Sequence, residues 1–397
     1  MTRIALVYFD AGGGHRAAAT ALQQIIEQQQ LPWNAELVNL QELLDPIDII
    51  RRSTGLRIQD VYNNMLQNGW TLGSPQLMRV LQWVIRAYHG PTVRLIEKYW
   101  RDTRPDLVVS FVPHFNRALC QSLSRACPGK PFVTLLTDFA DYPPHFWIER
   151  QEQFLICGSE RAVEQARRLG HPDSRIFRTS GMILNPRFYN YTRVERREER
   201  IKLGLDPDRA TGLMLFGGHG NWKMLEIDRR LGRSGLPIQL ISICGKNEKL
   251  AQALRAENSP LPRAIEGFTT NIPYYMQLAD FFFGKPGPGS IAEAVHMGLP
   301  VIVENNAWTL PQERYNTQWV REKQVGLVVS NFKQIEKTVA ELLEPQTLSR
   351  FHQNAAAMEN RALFEIPEIL QRILDGRLNE AHNTTGLAGS RPVATTS

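Results

Sequence analysis

Short apolar runs recur along this chain, each ending in a loop rich in glycine or histidine and followed by a segment of helical period. That alternation restricts the chain to parallel α/β units. The first case sets the pattern. Ile4–Phe9 (IALVYF) reads as a buried strand, residues 10–22 read DAGGGHRAAATAL, and the helix after them puts Ala18, Ala21, Leu22, Ile25 and Ile26 on one face. Further strands are expected at Leu107–Phe111, Val133–Leu136 and Phe154–Cys157. They resume at Leu213–Phe216, Gln239–Cys244, Asp280–Phe283, Leu299–Val303 and Gly326–Val329. Between the two sets, PRFYNYTRVERREERIKLGLDPDRAT is charged, has no strand signal and reads as a link. With 397 residues the chain is too long for one compact core, so two domains are expected.

Bulk properties narrow the partners. Lys and Arg number 46 against 40 Asp and Glu, a net charge of +6 that suits an anionic membrane surface, a phosphorylated substrate or simply a solvated face. No RNA- or DNA-binding motif accompanies it, so no nucleic-acid partner is expected. No run approaches the ~18 apolar residues of a membrane span. The first strand begins almost at Met1, so no signal or transit peptide is expected and a cytoplasmic setting is read. Cys157 and Cys244 end apolar runs and are expected as buried thiols. The spacing GxxxxGK[ST] is absent, as is GxGxxG, which disfavours P-loop nucleotidases and nicotinamide enzymes. No metal-binding spacing occurs, and Asp206-Pro207-Asp208 reads as a turn in the link. The small, polar tail from Ala381 is expected to be disordered.

In open parallel sheets, ligands sit beyond the carboxyl ends of strands. The unusual residues of this chain collect there. The first three loops carry Gly12, Gly13, Gly14 and His15, then His114 and Asn116 in SFVPHFN, then Thr137, Asp138, His145 and Trp147 in TDFADYPPHFW. Later ends give GGHGN (217–221), CGKNEKL and GKPGPGSIAEA (284–294). Glycines let main-chain N–H groups approach an anion, and a helix N-terminus adds a favourable dipole. Ser290 and Glu293 also fit a plain capping box, S-x-x-E, as the competing local reading.

Taken together, GGGHRAAATAL, CGKNEKL and GFTTNIPYYMQLADFFFGKPGPGSIAEAVHMGLPVIV resemble the GT-B glycosyltransferases of family 28. The lipid-galactosylating monogalactosyldiacylglycerol synthases are matched more closely than MurG-type transferases. The resemblance implies two Rossmann-like α/β domains facing a cleft: 1–190 on the acceptor and membrane side and 191–380 on the UDP-sugar side, with 381–397 as a tail. It also implies inverting transfer of galactose or glucose from a UDP-sugar to a lipid, diacylglycerol in that group, without a metal cofactor, at the inner face of a membrane. Carried over by motif, Gly267, Phe268 and Thr269 line the uracil pocket. Gly14, Gly218, His219, Gly220, Gly287, Gly289 and Ser290 meet the diphosphate, Glu293 takes the ribose hydroxyls, and Gln312 and Glu313 read the sugar. His15 becomes the general base or a phosphate contact, with Asp138 as rival base or as the partner that orients it. Residues 51–104 interleave Arg and Lys with aromatics, so Trp70 and Trp83 are expected at the membrane, with His114, His145 and Trp147 lining the acceptor. This chain has KPGPGS where the lipid galactosylators show KAGPGT, and its NNAWTLPQERYN differs around the sugar-reading pair. A UDP-N-acetylglucosamine 2-epimerase of the same architecture and a catalytically silent UDP- or lipid-binding module are the competing functions.

Overall fold

A computed structural model of the chain describes residues 1–10, 13–47, 82–83, 85–142 and 145–376. Twelve strands form two all-parallel sheets of six. The first holds β1 (Thr2–Tyr8), β2 (Trp33–Asn39), β3 (Leu107–Ser110), β4 (Phe132–Leu135), β5 (Phe154–Cys157) and β6 (Ile176–Arg178), in the order β2-β1-β3-β4-β5-β6. The second holds β7 (Ala210–Leu215), β8 (Ile238–Ile243), β9 (Arg263–Glu266), β10 (Phe281–Gly284), β11 (Val301–Glu304) and β12 (Gly326–Val329), in the order β12-β11-β10-β7-β8-β9. Central strands are buried along their length, as in Phe281–Gly284, because helices cover both faces of a parallel sheet.

All nine strands expected from the sequence form within a few residues of their predicted limits. The three that were not foreseen, β2, β6 and β9, are all sheet edges. An edge strand is half-solvated and short of apolar residues: WNAELVN alternates in burial, IFR has three residues and RAIE is only partly buried. The opening helix Gly14–Gln28 buries the five residues expected of it, together with Ala19.

The charged link is more ordered than its composition implies. Within it, helix Arg196–Lys202 buries Arg200, whose guanidinium donates to the Leu278, Pro207 and Arg209 carbonyls and to Asp280. Burial of a fully partnered guanidinium anchors this segment under the second sheet. Asp206 does cap a turn, accepting from the main-chain N–H of Asp208 at 2.9 Å.

Chain order and packing part company at the far end. The closing helix Ala362–Leu374 falls in the segment expected as donor domain, yet its apolar face (Leu363, Ile366, Leu370, Ile373) joins the core of the first sheet with Leu22, Ile25 and Ile26. The return is fastened by the Asn360 amide donating to the Met182 carbonyl at 2.9 Å, by the Arg361 N–H to Ser180 Oγ at 2.7 Å and by the Ser180 N–H to Glu365 at 2.7 Å. A β-carbon at Gly181 would lie 2.6 Å from the Asn360 side chain, so glycine is required for the chain to close there.

The two sheets meet through aromatic packing. Phe139, which follows β4, stacks on Trp319 of helix Arg314–Lys323 with ring centroids 4.3 Å apart and planes 17° from parallel. Both side chains are buried. Trp319→Ala is expected to destabilise the protein by about 3–5 kcal/mol, the usual cost of emptying a buried aromatic site. Denaturant unfolding reads this directly, and a loss under about 1 kcal/mol would mean the stack is dispensable.

Candidate active site

Each sheet has one place where strand order reverses, and a crevice opens between the loops that leave it. In the first sheet this lies between β1 and β3, and in the second between β7 and β10. The expected glycine and histidine loops leave from these strands.

On the first side, Gly13 caps the opening helix at φ +80°, a left-handed conformation natural only to glycine, and this presents Gly14 and His15 at the helix start. His15 Nδ1 lies 3.0 Å from Thr137 Oγ1, and its ring centroid is 5.6 Å from that of Trp147. Burial lowers its pKa to about 4, against a smaller upward pull from a hydrogen bond to the Phe111 main chain. The imidazole is therefore uncharged at neutral pH.

Asp138 is buried, and its Oδ2 accepts from Trp147 Nε1 at 2.8 Å. Burial raises its pKa to about 7; the Trp147 hydrogen bond opposes this, Glu313 and Asp141 add to it, and Lys285 opposes it. Asp138 was expected either as base or as the group that orients His15. Among the described contacts, Thr137 holds His15 and Trp147 holds Asp138, with the indole touching both.

Trp147 itself corrects an expectation. Placed on the acceptor or membrane face by its sequence context, it is completely buried. Its main-chain N–H donates to Asp141 Oδ1 at 2.7 Å while its indole reaches Asp138, so the loop folds it inward. The same Asp141 accepts the His145 N–H at 2.9 Å, and burial pushes this carboxyl up to about 6. His114 and His145 both adopt positive φ, +65° and +64°, on either side of Phe146, a costly backbone state for non-glycine residues. The His114 ring packs edge-on to Phe146 at 4.2 Å and burial lowers its pKa to about 4, while His145 is exposed. Trp83 is 69% exposed. Trp70 lies outside the described residues.

On the second side, Gly217 and Gly220 are left-handed, and Gly218 and His219 are exposed at the tip of their loop. A β-carbon on Gly220 would come 2.6 Å from the Cys244 carbonyl, and the Lys246 N–H donates to the Gly218 carbonyl at 2.8 Å, so this loop and CGKNEKL interlock. Gly267, Phe268 and Thr269 follow β9. The Phe268 ring is 61% exposed, with Lys246 Nζ 5.6 Å from its centroid. Thr269 Oγ1 accepts from the Asn271 N–H at 3.0 Å.

The capping-box alternative for Ser290 and Glu293 fails. Helix Pro288–His296 has Gly287 at its N-cap and no side-chain cap, so Ser290 sits inside the first turn and the main-chain N–H groups there are left uncapped. Gly289 is exposed beside them. Glu293, half-buried, has its pKa raised to about 7 by burial, with Arg187 opposing. Gln312 is buried, and burial raises the Glu313 pKa, with Lys285 opposing. Lys285 Nζ lies 3.9 Å from Glu313 Oε1. Among the described residues no group of three or more His, Cys, Asp or Glu is placed to hold a metal ion.

Lys285 was not foreseen as a site residue, although it is the one charged residue in GKPGPGS. Thr137 and Asp141 stand in a loop the sequence singles out, and their partners, His15 for the first and the Trp147 and His145 N–H groups for the second, emerge only in the fold.

The Asp138 shift carries a sign. A carboxyl whose folded pKa lies near 7, against 3.8 unfolded, binds its proton more tightly when folded. Its ionisation therefore lowers stability progressively as pH rises from about 4 to 7. Asp138→Asn keeps an acceptor for Trp147 and is expected to stabilise the protein above pH 7, by up to about 4 kcal/mol, with the gain fading below pH 4. Urea unfolding at pH 4 and pH 8 reads this, and an equal effect at both would refute a buried, proton-holding Asp138.

Comparison with known proteins now bears on this geometry. Residues 217–373 match the glycosyltransferase family 28 C-terminal domain. The chain is 28% identical over 387 residues to the chloroplastic monogalactosyldiacylglycerol synthase of Spinacia oleracea, covering 89% of this chain and 69% of that one. In fold it resembles Acinetobacter baumannii MurG, with a TM-score of 0.59 at 13% identity over 94% of this chain and 100% of that one. It equally resembles a putative UDP-N-acetylglucosamine 2-epimerase of Listeria monocytogenes, with a TM-score of 0.60 at 15% identity over 95% and 97%. The architecture thus leaves transferase and epimerase level, and the family match separates them. A parallel two-sheet GT-B fold, a family 28 C-terminal domain match over residues 217–373 and relatives that align across nearly the whole chain agree on one assignment: the protein is a glycosyltransferase that resembles those of family 28.

Proposed function

We propose that the protein moves a hexose, galactose or glucose, from a UDP-sugar to a lipid hydroxyl, with diacylglycerol as the acceptor, inverting the anomeric centre. The observation that carries this reading is that the loops of the two sheets sense each other's charge across the cleft. His15, kept uncharged by burial, bonds Thr137; the adjoining Asp138 feels both Glu313 and Lys285 of the opposite sheet. A proton acceptor and a set of sugar- and anion-binding loops thereby share one crevice.

In this reading Phe268 offers its exposed ring to the uracil, flanked by Gly267 and Thr269, and Glu293 takes the ribose hydroxyls as a two-oxygen acceptor. The uncapped first turn at Gly287, Gly289 and Ser290 receives the diphosphate, together with Gly218, His219 and Gly220 and the opening-helix amides at Gly14. Gln312 and Glu313 read the hexose. His15 takes the proton of the acceptor hydroxyl as it attacks the anomeric carbon, the C–O bond to UDP breaks, and main-chain dipoles stabilise the departing charge without requiring a metal. Asp138, near neutral and bonded to Trp147, holds the wall behind His15. The lipid is met at a membrane surface. Among the described residues no helix is long and apolar enough to cross one, and the exposed Trp83 and the basic excess of the chain favour peripheral contact on the cytoplasmic side.

The test incubates the purified chain with diacylglycerol in anionic liposomes and, separately, UDP-galactose, UDP-glucose or UDP-N-acetylglucosamine without added metal, with products read by mass spectrometry. A hexosyl-diacylglycerol from one donor is expected. A C2-epimerised nucleotide sugar and no glycolipid would replace this reading with the epimerase. His15→Ala is expected to lower turnover by about 10²–10⁴-fold with the fold intact. Glu293→Gln is expected to raise the donor KM by roughly tenfold while kcat changes little. An unaltered KM would leave Glu293 without a part in donor binding.

A further inference from the structure

Lys285 is a loosely held cation in the crevice. It is the first residue after β10, at the reversal point of the second sheet, and its stem passes between two glycine loops. A β-carbon at Gly217 would lie 3.5 Å from its Cε, and one at Gly287 only 3.3 Å. Gly287 therefore makes room for the lysine chain, the Gly217 loop lies at ordinary contact distance from it, and the ammonium is held where those loops converge. At 3.9 Å from Glu313 Oε1 the pair is ionic but beyond hydrogen-bond reach, and no described residue accepts a hydrogen bond from Nζ. Its neighbours differ: Lys223 is hydrogen-bonded to Glu304, and Lys246 lies over the Phe268 ring. The lysine side chain is 38% exposed, whereas that of Glu313 is 12% exposed. The carboxylate is thus the buried, dependent partner and the ammonium the reachable one.

From this arrangement we infer that Lys285 is an exchangeable cation, paired with Glu313 when the cleft is empty and transferred to the donor diphosphate when a UDP-sugar binds. The inference rests on the donor reading above. A diphosphate between the Gly217 and Gly287 loops offers the ammonium more negative charge than one carboxylate does, and a lysine, a point charge on a flexible stem, can change partners where a forked guanidinium would stay. The exchange strips Glu313 of its counter-charge. A buried carboxylate without a partner is costly unless hydroxyls donate to it, and the sugar of the intact donor supplies them. UDP alone, without the hexose, supplies none at Glu313. Glu313 therefore draws the lysine back once the sugar has gone, so that product UDP is held less tightly than the donor. This makes Glu313 and Lys285 a specificity device for the intact donor and a means of product release.

The distinguishing measurement is UDP affinity, by isothermal calorimetry, of the wild type, Glu313→Gln, Lys285→Met and the double variant. UDP carries no hexose, so a Glu313 that only reads the hexose would leave its affinity unchanged. Exchange predicts that Glu313→Gln binds UDP roughly two- to fivefold more tightly, the range for a partly exposed ion pair, because the lysine no longer has a competing partner. Lys285→Met binds UDP more weakly, and in that background Glu313→Gln brings no tightening. Unchanged or weaker UDP binding by Glu313→Gln overturns the inference while leaving the donor reading intact. Equal tightening with and without the lysine also overturns it, since plain carboxylate–phosphate repulsion then suffices. A wild type that binds no UDP removes the donor reading itself. Lys285→Arg, which keeps the charge, guards against misfolding: it is expected to bind UDP and to retain a gain from Glu313→Gln, because its guanidinium also pairs with that carboxylate.

Discussion

Phe139 lies ring to ring on Trp319 at 4.3 Å, and the geometry of the cleft hangs on that contact. Phe139 follows Thr137 and Asp138 in the chain, and Trp319 lies six residues beyond Glu313. This buried stack, together with Met182, Leu184 and Phe188 in the same cluster, registers the loop that holds His15 against the Gln312–Glu313 loop. Helix Ala362–Leu374 reinforces the register, because its return to the first sheet tethers the second sheet at both ends.

Charge in the cleft is arranged by burial more than by pairing. Asp138 and Glu293 are pushed to about 7 and Glu313 is raised, while His15 is lowered to about 4. Desolvation disfavours the charged form of each, so the site is kept poor in net charge with carboxyls that ionise when something donates to them. Hydroxyl-rich ligands do that. A crevice of acceptors near neutrality, lined by main-chain N–H groups and the Lys285 ammonium, suits a molecule that is an anion at one end and a sugar at the other.

Much of this was legible in the residues. Every interior strand could be found because a strand covered on both faces must be apolar throughout, and the three unforeseen strands are edges, where that rule lapses. The glycine loops were found because left-handed turns and close approaches leave few alternatives, as at Gly13 and Gly220. Trp147 was misread because aromatic and histidine residues beside a loop look alike whether they face a lipid or the core. Its inward turn depends on Asp138 and Asp141 accepting its two N–H groups. Ser290 and Glu293 were ambiguous for a related reason. The same S-x-x-E spacing caps a helix or stands free, and the helix start one turn earlier, at Gly287-Pro288, decides between them.

What the sequence determined by itself is therefore what local physics encodes: apolar period, backbone freedom at glycine, the order of strands and loops, and a motif set specific enough to name a family. What only the tertiary structure decided is who meets whom. His15 and Thr137 are 122 residues apart in the chain, and Lys285 faces Glu313 from a different loop. Their contacts, the pKa values that follow from burial, and the return of the last helix to the first sheet arise from the placement of two sheets relative to each other. That placement is set by packing between distant segments, and no local pattern records it because each segment would look the same with its partner elsewhere.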